Sequence, residues 1–239
     1  MQNISQNEAN SKKNVAPVKK NIRFQLDGNF ARNEASKATW AAKKNTSVYS
    51  SLNTELKPVT MQSTSSVKAF SCEILSSSGQ RQLQNAHKRL LMTASKQATG
   101  VEVGRIFDLN MKPLSQDIIG SSKGHSVRLP DSEVPYVAIH THPACGNFSN
   151  GDLANFTKNQ NLKLLTAIGH DGHIYAIEKS SGYDPATAKA ISWKLNTEIE
   201  RLKNIPKAEL PDDQLLEQAD ALIRQAITDL EKSGVKFYE

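Results

Sequence analysis

Apolar residues are sparse and aperiodic over the first 65 positions and become regular after them. In "VKAFSCEIL", Phe70, Cys72 and Ile74 alternate with less apolar neighbours, the period of a half-buried strand. In "GQRQLQNAHKRLLMTASKQATG", Leu83, Ala86, Leu90, Leu91, Ala94 and Ala98 fall at helical spacing, and Gly100 suits the stop. "VEVGRIFDL" reads as a strand and "HSVRLP" as a further short one. "VPYVAIHTH" is a strongly apolar strand that Pro143 ends. A helix is expected from about Asn150 to Asn159. The buried strand "LKLLTAIG", the tight turn "HDG" and the returning strand "HIYAIEK" follow it.

The pattern then changes. Asp184-Pro185 has the form of an N-cap with proline at the first helical position, and Ile191, Leu195, Ile199 and Leu202 make an apolar stripe. A second helix is expected from Pro211, with Asp212 and Asp213 where the helix dipole favours anions. Its apolar face holds Leu215, Leu216, Ala219, Leu222, Ile223, Ala226, Ile227 and Leu230. The two helices are expected to form a hairpin that covers the preceding domain, or else a dimerisation or partner surface.

Composition alters this picture mainly at the N-terminus. Residues 1–65 are rich in Asn, Ser, Thr and Lys; "NFARNEASKATWAAKKN" has the makings of a short helix, and the rest, "TMQSTSS" included, reads as linker. The chain carries a formal charge of +6, and the whole excess lies in residues 1–44, with nine Lys/Arg against three Asp/Glu. A solvated, disordered basic arm is the expectation, with nonspecific contact to nucleic acid or an acidic partner as the alternative. There is no run of 18 apolar residues and no secretory signal at the start, and Cys72 and Cys145 are too few for a disulfide framework. The expectation is a reduced, cytoplasmic protein with no membrane partner. Its parts are an arm over 1–65, a central domain over 66–180 and a helical extension over 181–239.

The chemistry concentrates in "IHTHPACGNFSNGDL". Residues i and i+2 of a strand point to the same face about 6.5 Å apart, so His140 and His142 present two imidazoles to one point. Imidazole nitrogens bind zinc at about 2.1 Å, and a catalytic zinc takes three protein ligands. After the five-residue loop Ala144 to Phe148, Ser149 and Asp152 stand at the first and fourth positions of a helix start. Ser-x-x-Asp by itself reads as a capping box, although Glu is the usual acidic partner there. Two same-face histidines, a short return loop and a carboxylate ten residues after His142 together make a His-His-Asp metal site.

"HTHPACGNFSNGD" resembles the signature of the JAB/MPN (JAMM) zinc metalloproteases: His-x-His-Pro, a loop, then Ser-x-x-Asp, with a glutamate well upstream. The resemblance spans Val67 to Lys179 and is nearest to the phage, mobile-element and RadC-like prokaryotic branches. It implies an α/β fold, a cytidine-deaminase-like mixed sheet flanked by helices, here with the C-terminal helical hairpin added. It implies Zn2+ held by His140, His142 and Asp152, with Ser149 helping to stabilise the oxyanion. Family members hydrolyse peptide or isopeptide bonds, so the implied partner is a peptide or a protein conjugate. The loop between Pro143 and Ser149 is one residue shorter than the commonest family form, which bears on Ser149 and leaves the histidines untouched. The family glutamate lies on a strand soon after the first helix, where this chain has Glu102; Asp108 and Glu133 are the alternatives for the general base.

Other candidates remain beside this set. Cys145 invites a cysteine-protease reading but lacks a familiar nucleophile motif. His170 and His173 are expected at the surface, His87 on a polar helix position with a structural role, and Trp193 in the core; His125 is unplaced. Zinc-dependent hydrolysis leads. A catalytically silent JAB-fold binding or assembly module and a RadC-like DNA-associated protein are the other classes.

Overall fold

The computed structural model describes residues 55–121 and 126–239. A short helix α1 (Met61–Ser66) precedes α2 (Ser77–Ala94). Strands β1 (Val103–Asp108), β2 (Ile118–Ile119) and β3 (Tyr136–His142) lead to helix α3 (Asn150–Lys158). The hairpin β4 (Leu162–Gly169) and β5 (Ile174–Lys179) is followed by α4 (Pro185–Lys203), α5 (Asp212–Glu231) and β6 (Val235–Tyr238). The six strands form one sheet in the order β2-β1-β3-β4-β5-β6. β3 and β4 pair in parallel and every other pair is antiparallel, so the protein is α/β with a mixed sheet. A parallel pair needs a crossover, and α3 supplies it.

Both faces of the sheet are covered, which is why the central strands read as near-continuous apolar runs. On one face Ile106, Tyr136, Ala138, Leu165, Ala167, Ile177 and Val235 pack with the apolar stripes of α3, α4 and α5. On the other, Val103, Phe107, Val137, Ile139, Leu164 and Ile168 pack against Leu83, Leu90, Leu91 and Ala94 of α2. Asp184 caps α4 by accepting the Ala186 N–H, with Pro185 at the first helical position as its sequence indicates.

Several local expectations are corrected. "VKAFSCEIL" is not a strand. The free edge of β5 is taken by β6, for which the hydrophobic pattern gave no sign. The segment instead buries Val67, Cys72 and Leu75 beneath α2, and the Glu73 N–H donates to the Glu178 carboxylate at 3.0 Å. "HSVRLP" contributes only an isolated Ser121–Ser126 bridge within the described residues, and the short strand of this region is β2. "TMQSTSS" contains α1, which a reciprocal Thr60–Ser63 cap starts. The α2 helix ends at Ala94, before Gly100, which serves the following turn with φ 87°. The first 54 residues of the expected basic arm, and His125, lie outside the described residues.

Candidate metal centre

β3 is buried along its whole length, and its side chains alternate between the sheet faces. His140 and His142 continue the row of Tyr136 and Ala138, on the face that α3, α4 and α5 cover. They are 2% and 8% exposed. Past Pro143 the Cys145 N–H donates to the His142 carbonyl at 3.0 Å, and Cys145 adopts φ 56°, so the chain folds straight back. The loop delivers Ser149 as the N-cap of α3.

The helix cap and the ligand cluster are one arrangement. Ser149 Oγ accepts the Asp152 N–H, and Asp152 Oδ2 accepts the Ser149 N–H at 2.8 Å, a capping box with aspartate in the acidic role. The Ser149 hydroxyl also donates to Oδ2 at 2.7 Å. So fixed, the carboxylate sets Oδ1 3.3 Å from His140 Nε2 and Oδ2 3.4 Å from His142 Nε2. The two Nε2 atoms are 2.9 Å apart. Ligand atoms about 2.1 Å from a single tetrahedral ion stand about 3.4 Å from one another. The donor set therefore fits such an ion, with a slight opening of the histidine pair. Among the described residues, no other group of three or more His, Cys, Asp or Glu has its ligand atoms converging within 4.8 Å.

The surroundings fix these groups further. His142 Nδ1 donates to the Gly146 carbonyl at 3.0 Å, which turns the Nε2 lone pair towards the cluster. Burial opposes charge on Asp152, but His140 and His142, through charge and hydrogen bonds, hold its carboxyl well below the usual range. Burial likewise opposes protonation of His142. The hydrogen bond and charge of Asp152, with Glu102 and the Gly146 carbonyl adding, outweigh it and raise the imidazole to about 9. Two buried imidazoles and a partly exposed carboxylate drawn together in this way are chemically suited to hold a cation.

Of the three carboxylates considered as general base, geometry favours Glu102. It stands just before β1 on the face of Gly104, whose register partner is His140. Its Oε2 accepts the Val127 N–H at 3.0 Å. Burial pushes the Glu102 carboxyl up to about 8, against the pull of His142 and with Asp152 adding to the rise. Asp108 lies at the opposite end of β1, paired with Tyr136, and caps the turn by accepting the Asn110 and Lys112 N–H groups. Glu133 is exposed in the loop that enters β3, also away from the histidines.

The remaining candidates separate cleanly. The Cys145 thiol is pushed up by burial, the opposite of an activated nucleophile. His170 is not a surface residue; it is 4% exposed, its Nδ1 donates to the Lys57 carbonyl at 2.7 Å, and its N–H donates to the His142 carbonyl. Lys57 N–H in turn donates to the Pro143 carbonyl at 2.9 Å, so residues far apart in sequence brace the exit of β3. His173 is exposed beside Glu239. His87 has the structural role expected, but on the core side of α2, where it bonds Thr166 Oγ1 at 2.7 Å. Trp193 is 68% exposed on α4 rather than in the core. Sequence reasoning also missed Asn150, whose buried amide donates to Asn196 Oδ1 at 2.7 Å and ties the start of α3 to α4. No helix among the described residues is long and apolar enough to cross a membrane. No protein-family model, no curated protein and no solved structure matches the chain.

Proposed function

We propose that this protein is a zinc-dependent hydrolase of the JAMM type, acting on a peptide or isopeptide bond. The observation that carries the reading is the convergence of His140 Nε2, His142 Nε2 and the Asp152 carboxylate at the separations of a tetrahedral ligand set. A zinc ion held there would act as a Lewis acid and lower the pKa of a water to about 7. Glu102 takes the proton of the attacking water and delivers it to the leaving amine, its carboxylate oriented by the Val127 N–H. Ser149 fixes Asp152 through its hydroxyl and backbone N–H. With substrate bound, the hydroxyl would turn from Asp152 Oδ2 to donate to the oxyanion, while the backbone N–H keeps the carboxylate in place. The buried position of the two histidines limits competing water, and the partly exposed Asp152 carboxylate leaves the cluster open on that side.

The test is a panel of peptide and ubiquitin-like conjugates screened with the full chain, repeated with Glu102→Gln. The variant is expected to hold zinc as the parent does and to lose on the order of 10²–10⁴ in rate. Cleavage by the variant at the parent's rate would remove Glu102 from the mechanism. A parent that holds zinc yet cleaves none of the panel would favour a silent binding module built on the same site.

A further inference from the structure

The face of the sheet opposite the metal centre carries a groove of about 240 Å³ between α2 and the β1–β2 connection. Its floor is apolar, made by Leu90, Phe107 and Met111. Its rim is cationic, and the cations are incompletely used. Arg89 is exposed and forms no ion pair among the described residues. The Arg105 guanidinium lies 5.4 Å over the Phe107 ring and gives one Nη1 contact to Asp117 at 3.1 Å, while its buried Nε has no acceptor. Asp117 is the acidic lining residue, and its second oxygen is already occupied by the Thr93 hydroxyl at 2.7 Å. Asn85 adds an amide on the rim. Two arginines and one aspartate in the lining, with Asp117 held by Arg105 and Thr93, leave a net positive rim above an apolar floor.

We propose that this groove is a second ligand site, separate from the metal centre, for a small organic carboxylate. The acid group lies against Arg89 and Arg105, whose planar donor forks match a carboxylate in a way a point charge does not. The apolar body lies on Leu90, Phe107 and Met111. The volume admits one ring or a short aliphatic chain, and excludes a folded segment.

The experiment is a titration of the full chain with phenylacetate, followed by backbone and arginine side-chain NMR shifts. Saturable shifts confined to Arg89, Arg105, Phe107 and their neighbours are expected, with a dissociation constant on the order of millimolar or below. The uncharged isostere phenylacetamide and the bodiless anion acetate should each bind roughly tenfold or more weakly. Arg89→Ala, a change at an exposed position, should weaken phenylacetate binding by a similar factor without altering the fold. Arg105→Lys keeps the charge but removes the fork, and should weaken it as well. Shifts limited to His140, His142 and their surroundings would place the acid at the metal centre and overturn the proposal. So would equal binding of phenylacetate, phenylacetamide and acetate, an unaffected Arg89→Ala variant, or no shifts at 10 mM, a concentration on the order of tenfold above the weakest dissociation constant expected.

Discussion

Strands β3 and β4 are parallel neighbours that end level with each other, His142 beside Gly169. Both are buried almost throughout, and each has two histidines and an aspartate near its end: His140, His142 and Asp152 at β3, and His170, Asp171 and His173 at β4. Their chemistry nevertheless differs. Past β3, two histidines on one face meet a carboxylate delivered by the first turn of α3. Past β4, the chain reverses at once through Gly172, whose φ of 90° and close approach to α1 suit only glycine. That reversal turns His170 inward to Lys57, leaves His173 at the surface, and uses Asp171 Oδ1 to accept the His173 N–H. Similar residues thus yield a candidate ligand cluster in one place and a structural turn in the other. The deciding variables are strand alternation and the helix N-terminus, not the residue types.

The contrast can be broken by substitution, the strongest effects first. His140→Ala and His142→Ala should each abolish stoichiometric zinc binding, a loss larger than the 10–100-fold typical of outer partners of a metal site. Elemental analysis reads this directly, and a variant that keeps a full equivalent would show that the cluster is not the ligand set. Gly172→Ala should leave the ligand geometry in place but destabilise the fold by about 2–4 kcal/mol. Its Cβ would press on the Ser63 carbonyl and the Ser66 hydroxyl, and its φ would be strained. Chemical denaturation measures that effect.

A smaller effect concerns His87, on the other side of the sheet. Burial lowers its imidazole from the ordinary 6.5 to about 3. Between those values the unfolded chain takes up a proton that the folded chain refuses. Stability contributed by the neutral ring is therefore complete above pH 6.5 and declines as the pH falls towards 3, by at most about 1.4 kcal/mol per pH unit. His87→Gln should flatten the pH dependence of the unfolding free energy over that interval, and an unchanged slope would contradict the burial of a neutral imidazole there. The smallest effect is expected of His173→Ala, which should change zinc content not at all and stability by no more than about 0.5 kcal/mol, as for other exposed positions.

These differences also explain which parts of the molecule were legible in the sequence. The candidate site was legible because its elements are local. His-x-His states its facing through the strand period, and Ser-x-x-Asp states a helix start, here confirmed as a capping box. The central strands and the helices α2 to α5 were legible through their apolar periods. What could not be read depends on distant partners. β6 is four residues long and is a strand through its pairing with the edge of β5, while "VKAFSCEIL" packs beneath α2 through Val67, Cys72 and Leu75. His170 owes its burial to Lys57, 113 positions away. His87 is a different case, because Leu83 and Leu90 flank it at helical spacing and that period already marks the core face.

The most direct measurement is a calorimetric zinc titration of the metal-free full chain beside Glu102→Gln and Asp152→Asn. The parent and Glu102→Gln are expected to bind one zinc per chain with matching affinity. Asp152→Asn, which removes a ligand charge while keeping the side-chain size, should bind at least about tenfold more weakly. A parent that takes up no zinc, or an Asp152→Asn variant that binds it as the parent does, would contradict the three-ligand centre.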